Sequence, residues 1–238
     1  MHSKKVLLFD LDGTLLPIDN NDFEHTYFKG LCKAFSEFAP EDLIKYIWAG
    51  TKAMILNDGS KTNRQAFAEE FSKITGLNYY DIESRFENYY MTNFSIVKSV
   101  CKITDLSKNI VNSAKQKGYT VAIATNPIFP KIATSQRLCW LGLNYDDFPL
   151  VTTFENSNFA KPNTNYYLDI CKKLNVSPNE CIMIGNDTSD DGSAKACGME
   201  VILINDYLIN KKNQSLEDYK VMSLEELKEY IDNLPKIN

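Results

Sequence analysis

Asp10 and Asp12 stand two residues apart at the end of the apolar run Val6-Leu7-Leu8-Phe9, and Gly13-Thr14 follows at once. A short apolar run closed by a turn signal reads as a strand buried on both faces, the habit of parallel sheets. Such sheets carry their chemistry at the carboxyl ends of their strands, which is where Asp10 falls. An ionised carboxylate held there can attack phosphorus and form an aspartyl-phosphate. Val121-Ala122-Ile123-Ala124 ends in Thr125-Asn126, and Ile182-Met183-Ile184-Gly185 ends in Asn186-Asp187, with Asp190 and Asp191 just beyond. Between these two stretches lies Lys161-Pro162. Asp10, Asp187 and Asp191 together would carry an excess of negative charge that calls for a cation. All the candidate donors are oxygens and no soft ligand is at hand, so Mg²⁺ is the expected occupant. A spacing of four sets Asp191 one helical turn beyond Asp187 on the same side, which makes Asp191 the second acid. Asp190 is expected to face solvent near a helix N-terminus.

Other uses of these acids fit less well. An EF-hand loop opens Asp-x-Asp but needs Gly at its sixth position and Glu at its twelfth. Counted from Asp10, Gly13 is fourth and Asn21 twelfth; counted from Asp187, the twelfth residue is Gly198. The apolar stretch after Lys4-Lys5 is cut by Asp10 and Asp12, and no small-residue cleavage site follows, so it does not read as a secretion signal. With only His2 and His25 present, His triads and His-rich metal sites have almost no material.

The elements that must position these residues alternate strand and helix after residue 98. Helices are expected over 105–117, ended by Gly118, over 131–141, over 163–174 with Asn163 as N-cap, and over 189–197. Short strands are expected at Leu150-Val151-Thr152 and Val201–Ile204, and Ser223-Leu224-Glu225-Glu226 is a capping box opening a last helix. This alternation implies an α/β fold, a Rossmann-like parallel sheet with helices on both faces. Residues 17–98 differ: Phe23, Tyr27, Phe28, Leu31 and Phe35 recur at helical steps, and three further helical faces follow, near 41–48, 67–74 and 82–94. A chain of 238 residues can hold a core of 1–16 with 99–238 and a helical insertion of 17–98.

Composition narrows the class. With 44% hydrophobic and 24% charged residues the chain is ordinary globular material. A net charge of −5 argues against coating nucleic acid or an anionic membrane. No apolar run approaches the ~20 residues that span a bilayer. Six cysteines with no Cys-x-x-Cys pair favour reduced thiols and a cytoplasmic location. The oligomeric state is not legible.

In their order, Asp10-x-Asp12-Gly13-Thr14, the strand-terminal Thr125, Lys161 and Gly185-Asn186-Asp187-x-x-x-Asp191 resemble the four motifs of the haloacid dehalogenase superfamily. The resemblance spans residues 5–205, and it implies that the helical insertion is a cap that sets substrate specificity. It implies further that Asp10 and Asp187 bind Mg²⁺ by side chain and Asp12 through its backbone carbonyl, with Asp191 assisting. Asp12 would protonate the leaving oxygen and later deprotonate water. That second carboxylate favours phosphoryl transfer over dehalogenation. Thr125, with backbone N–H groups near Asn126, would hold phosphate oxygens, and Lys161 would offset charge. The expected activity is Mg²⁺-dependent hydrolysis of a small phosphorylated metabolite. A phosphomutase, a phosphonatase using Lys52 as a Schiff base, and a non-catalytic binding protein are the alternatives. Asp19, Asn20, Asn21, Lys52 and Arg64 are the polar candidates for substrate contact in the insertion.

Overall fold

The structure, a computed structural model, describes residues 4–237, so His2 lies outside it. Its centre is β1 (Val6–Phe9), four apolar residues that are all buried. Strands β2 (Thr120–Ile123) and β3 (Cys181–Gly185) flank it, and β4 (Glu200–Ile204) and β5 (Lys220–Met222) extend the sheet beyond β3. Every pairing is parallel, in the order β2-β1-β3-β4-β5. Phe9 pairs with Ile123 on one side and Ile184 on the other, so Asp10, Ala124 and Gly185 stand at one level. That register is what gathers the motifs.

Between β1 and β2 run helices α1 (Asn20–Ala34), α2 (Pro40–Ile55), α3 (Asn63–Thr75) and α4 (Tyr79–Thr92), followed by a 3₁₀ helix at Phe94–Val100. Their ends follow local chemistry. Asp19 caps α1 by accepting from the Asn21 and Asp22 N–H groups at 2.8 and 3.2 Å. Thr62 and Gln65 form a capping box on α3, and Gly76 closes that helix at φ 73°. Helix α2 runs well past Trp48 because Thr51 and Met54 continue its buried face. The insertion shares its core with the sheet. Phe23 and Tyr27 of α1 meet the ring of Phe129, which follows β2, edge-on at 5.6 and 5.5 Å.

The remaining helices are α5 (Leu106–Gln116), α6 (Lys131–Trp140), α7 (Thr164–Leu174) and α8 (Leu224–Asn233). Leu7, Phe9, Ile182 and Ile184 share one apolar cluster with residues of α5, α6 and α8. Val6, Leu8, Cys181 and Met183 pack on the other face with Tyr166, Tyr167 and Ile170 of α7. The α/β sheet with helices on both faces is therefore as expected.

Three local expectations need correction. Leu150-Val151-Thr152 makes only an isolated parallel bridge, Val151 with Ile123, because the Asn156 side chain takes up the Val151 carbonyl and the Thr153 N–H. The stretch 189–197 is not an α-helix but a turn leading into a 3₁₀ helix at Gly192–Cys197. Carboxylates of Asp187 and Asp191 occupy the amides of residues 186, 187, 189 and 190, and Gly192 follows. Strand β5 was not anticipated, since Lys220-Val221-Met222 is a short, largely exposed edge.

Candidate active site

The ends of β1 and β3 fix the acids. The Asp10 N–H donates to the Ile184 carbonyl at 2.8 Å, which locks the chain at the strand end. Asp10 is 7% exposed, and its Oδ1 accepts from Lys161 Nζ at 2.8 Å. The same Nζ donates to Asp191 Oδ1 at 2.6 Å. Asp191 Oδ2 accepts from the Asn186 and Asp187 N–H groups, both at 2.9 Å. Only glycine suits position 185, since a Cβ there would stand 2.1 Å from the Asp191 Cγ. Asp10, Lys161 and Asp191 are thus one buried cluster.

Burial is the main force on Asp10 and pushes its carboxyl up to about 7; Lys161 opposes this and Asp191 adds to it. Burial works against the Lys161 charge, but Asp10 and Asp191 outweigh it and hold the ammonium well above its ordinary value. Asp190 does not face solvent as expected. It is half-buried, its Oδ2 accepts from Asn126 Nδ2 at 3.1 Å, and burial pushes its carboxyl up to about 6.

The end of β2 supplies N–H groups. Thr125 is buried, and its carbonyl is pinned by the Thr152 and Tyr166 hydroxyls at 2.7 and 2.9 Å. The Asn126 side chain is a strut: Oδ1 accepts from the Lys161 N–H at 3.2 Å while Nδ2 holds Asp190. What Asn126 can still offer an anion is its backbone. Among the described residues, the N–H groups of Leu11, Asp12, Thr125 and Asn126 find no acceptor. Gly13 makes the turn after Asp12 possible, at φ 77°, where a Cβ would stand 2.2 Å from Asn186 Nδ2.

The oxygen donors suit a hard divalent cation. Among the described residues no donor reaches the Asp12 carbonyl or Asp187 Oδ2, and Asp10 Oδ2 has only a 3.5 Å contact from the Thr14 hydroxyl. No three His, Cys, Asp or Glu side chains among them form a preassembled metal cluster. The Asp12 contribution would come from the main chain.

The sequence profile of the haloacid dehalogenase-like hydrolases matches residues 7–204, from β1 to the end of β4. The chain belongs to that family. It is 26% identical over 204 residues to a phosphoglycolate phosphatase of Haemophilus influenzae, covering 83% of this chain and 84% of the relative. A HAD phosphatase from Thermococcus onnurineus superimposes with a TM-score of 0.60 at 21% identity, covering 98% of this chain and all of that one. A HAD-hydrolase of Bacillus subtilis, solved bound to magnesium, superimposes at 0.57 with 19% identity, covering 97% and 99%. The chain is accordingly a HAD-family hydrolase.

Two features of this HAD hydrolase were not read from the sequence. Arg137 of α6 has no exposed surface and donates through Nη1 to Asp12 Oδ2. Its signal was a charge inside an apolar stripe, with Ala133, Leu138 and Leu141 around it. The second is the cleft over Asp12 and Gly13, about 890 Å³, walled by the start of α1 and the loop Asn205–Lys211. A larger cleft of about 1200 Å³, between α3, α4 and α6, holds none of the motif residues. Of the polar candidates in the insertion, Asp19 caps α1, Lys52 is exposed, and Arg64 pairs with Glu83. Asp19, Asn20 and Asn21 all line the cleft over Asp12.

Proposed function

We propose that this HAD hydrolase is a Mg²⁺-dependent phosphoric monoester hydrolase that acts on a small phosphorylated metabolite through an aspartyl-phosphate on Asp10. One observation carries the reading: a buried carboxylate, held by Lys161, stands level with strand ends whose N–H groups lack acceptors. In the first step an Asp10 oxygen attacks phosphorus, the ester P–O bond breaks, and the leaving oxygen takes the Asp12 proton, releasing an alcohol. In the second, water attacks the same phosphorus and gives its proton to Asp12; inorganic phosphate leaves and the Asp10 carboxylate is restored. The amides of Leu11, Asp12, Thr125 and Asn126 would hold the phosphoryl oxygens, with the Thr125 hydroxyl and the Lys161 ammonium. Asp10, Asp187 and the Asp12 carbonyl would hold Mg²⁺, which would supply the charge neutralisation that attack by a carboxylate on an anionic phosphoryl group requires. Asp191 already serves Lys161 and two amides, so it acts by orienting them.

The insertion 17–98 is the cap of a core made of 1–16 and 99–238, and the substrate enters by the cleft over Asp12. Its volume of about 890 Å³ lies in the range of small-metabolite sites. The phosphatase name of the Haemophilus influenzae relative and the magnesium in the Bacillus subtilis structure support the reading. Lys52 is exposed on α2 and gives no support to a Schiff-base route. Six free cysteines accord with a cytoplasmic location. The test is phosphate release from a panel of small phosphate esters with Mg²⁺ or with EDTA. Release should require the metal and fall to background in Asp10→Asn; metal-independent release, or release by the variant, contradicts the proposal.

A further inference from the structure

Arg137 is the largest side chain buried without exposure. A guanidinium out of water is tolerated only when it is paired and hydrogen-bonded. Its Nη1 donates to Asp12 Oδ2, its Nη2 to the Thr134 hydroxyl at 3.2 Å, and its Nε to the Ala133 carbonyl at 3.3 Å. Phe129 of the core stands 4.7 Å from the guanidinium carbon and Phe23 of α1 stands 5.9 Å from it. The group is therefore fixed on its own helix, between rings from the core and from the inserted helices. Its remaining function is toward Asp12.

Asp12 shows the complementary feature. Its Oδ1 is the one buried side-chain polar atom without a hydrogen-bond partner among the described residues. Such an orphan in a native fold asks for a reason. One oxygen is held by a rigid cation and the other is buried without a partner. We propose that Arg137 is the positioning residue for Asp12: by pinning Oδ2 it fixes the plane of a carboxylate whose side chain is 28% exposed, so that the acid meets the leaving oxygen in the first step and water in the second. The inference rests on the phosphatase reading of the same site. Arg137 does not touch the reacting atoms and works only through Asp12. Because Phe23 closes over the guanidinium, the packing of α1 on the core also steadies the acid.

The test separates proton transfer from mere support of the fold. A 4-nitrophenyl ester needs no proton on its leaving oxygen, whereas an alkyl phosphate does. In Arg137→Met, alkyl phosphate turnover should fall by about 10²-fold or more, the usual share of general acid–base catalysis. Release of nitrophenolate should become biphasic, with a fast burst of one equivalent per enzyme and then a slow phase, because only hydrolysis of the aspartyl-phosphate is damaged. Asp12→Asn should show the same pattern, and the double variant should be no worse than Asp12→Asn alone. Arg137→Lys keeps the charge and most of the volume but lacks the planar fork, so the same pattern should appear in weaker form. That milder variant serves if Arg137→Met folds poorly. Equal losses on both esters without a burst in both variants, or a double variant whose losses multiply, would overturn the inference. Burst nitrophenolate release that depends on Asp10 supports the phosphatase reading separately, so the two can fail independently.

Discussion

Lys161 sits between two buried carboxylates, Asp10 and Asp191, at 2.8 and 2.6 Å. Removing one partner of a buried ion pair leaves an uncompensated charge and costs about 3–5 kcal/mol. Lys161→Met should therefore lower the unfolding free energy at pH 7 by about that amount, as measured by urea denaturation without metal. Added Mg²⁺ should recover part of the loss. The same crowding gives a pH dependence of known sign. Burial raises Asp10 to about 7 and Asp190 to about 6, above the carboxylate values of an unfolded chain. The folded, metal-free protein then binds more protons than the unfolded chain between about pH 4 and pH 7, so its stability falls as pH rises through that window. Mg²⁺ competes with those protons. The increase in Tm on adding Mg²⁺ should accordingly be larger at pH 8 than at pH 5.5; an equal or reversed increase would sink this account of Asp10.

At the scale of elements, the site depends on how closely the loop after β3 folds back on its strand. Gly185→Ala would drive a Cβ to 2.1 Å from the Asp191 Cγ. Overpacking of this kind costs roughly 1–3 kcal/mol, and displacement of Asp191 with Lys161 should lower kcat on the order of 10²-fold. A variant with unchanged kcat would show that the Asp191 contact does not set the catalytic geometry. The inserted helices depend on aromatic packing. Phe71 is fully buried against Phe67, Tyr79 and Phe86. Phe71→Ala should cost about 3–5 kcal/mol in chemical denaturation. What was legible in the sequence is what short-range rules govern. The buried runs of β1, β2 and β3, the Asn163 cap and the Ser223 capping box all follow from adjacent residues. What was not legible depends on distant partners. Strand β5 exists only beside β4, and the turn at 187–191 replaces a helix because side chains fold back on its amides. Asp190 turns inward toward Asn126, and Arg137 is explained only by Asp12, 125 residues earlier.

Across the whole molecule, β1, β2 and β3 deliver their motifs to one level, and α1 overhangs that level through Phe23. The helices between β1 and β2 join the apolar cluster on one face of the sheet, so their packing and the geometry of the site are mechanically linked. The cleft over Asp12 is bounded by both parts. A covalent phosphoryl group carried by Asp10 is the centre of the proposed mechanism, and trapping it is the most direct test. The protein would be mixed with a radiolabelled phosphate ester that it turns over, quenched in acid within milliseconds, and digested. We expect the label, and homoserine after borohydride reduction, in the peptide that contains Asp10. Both should be absent in Asp10→Asn and in EDTA. Rapid turnover with no labelled peptide, or a label on another residue, would contradict the central claim.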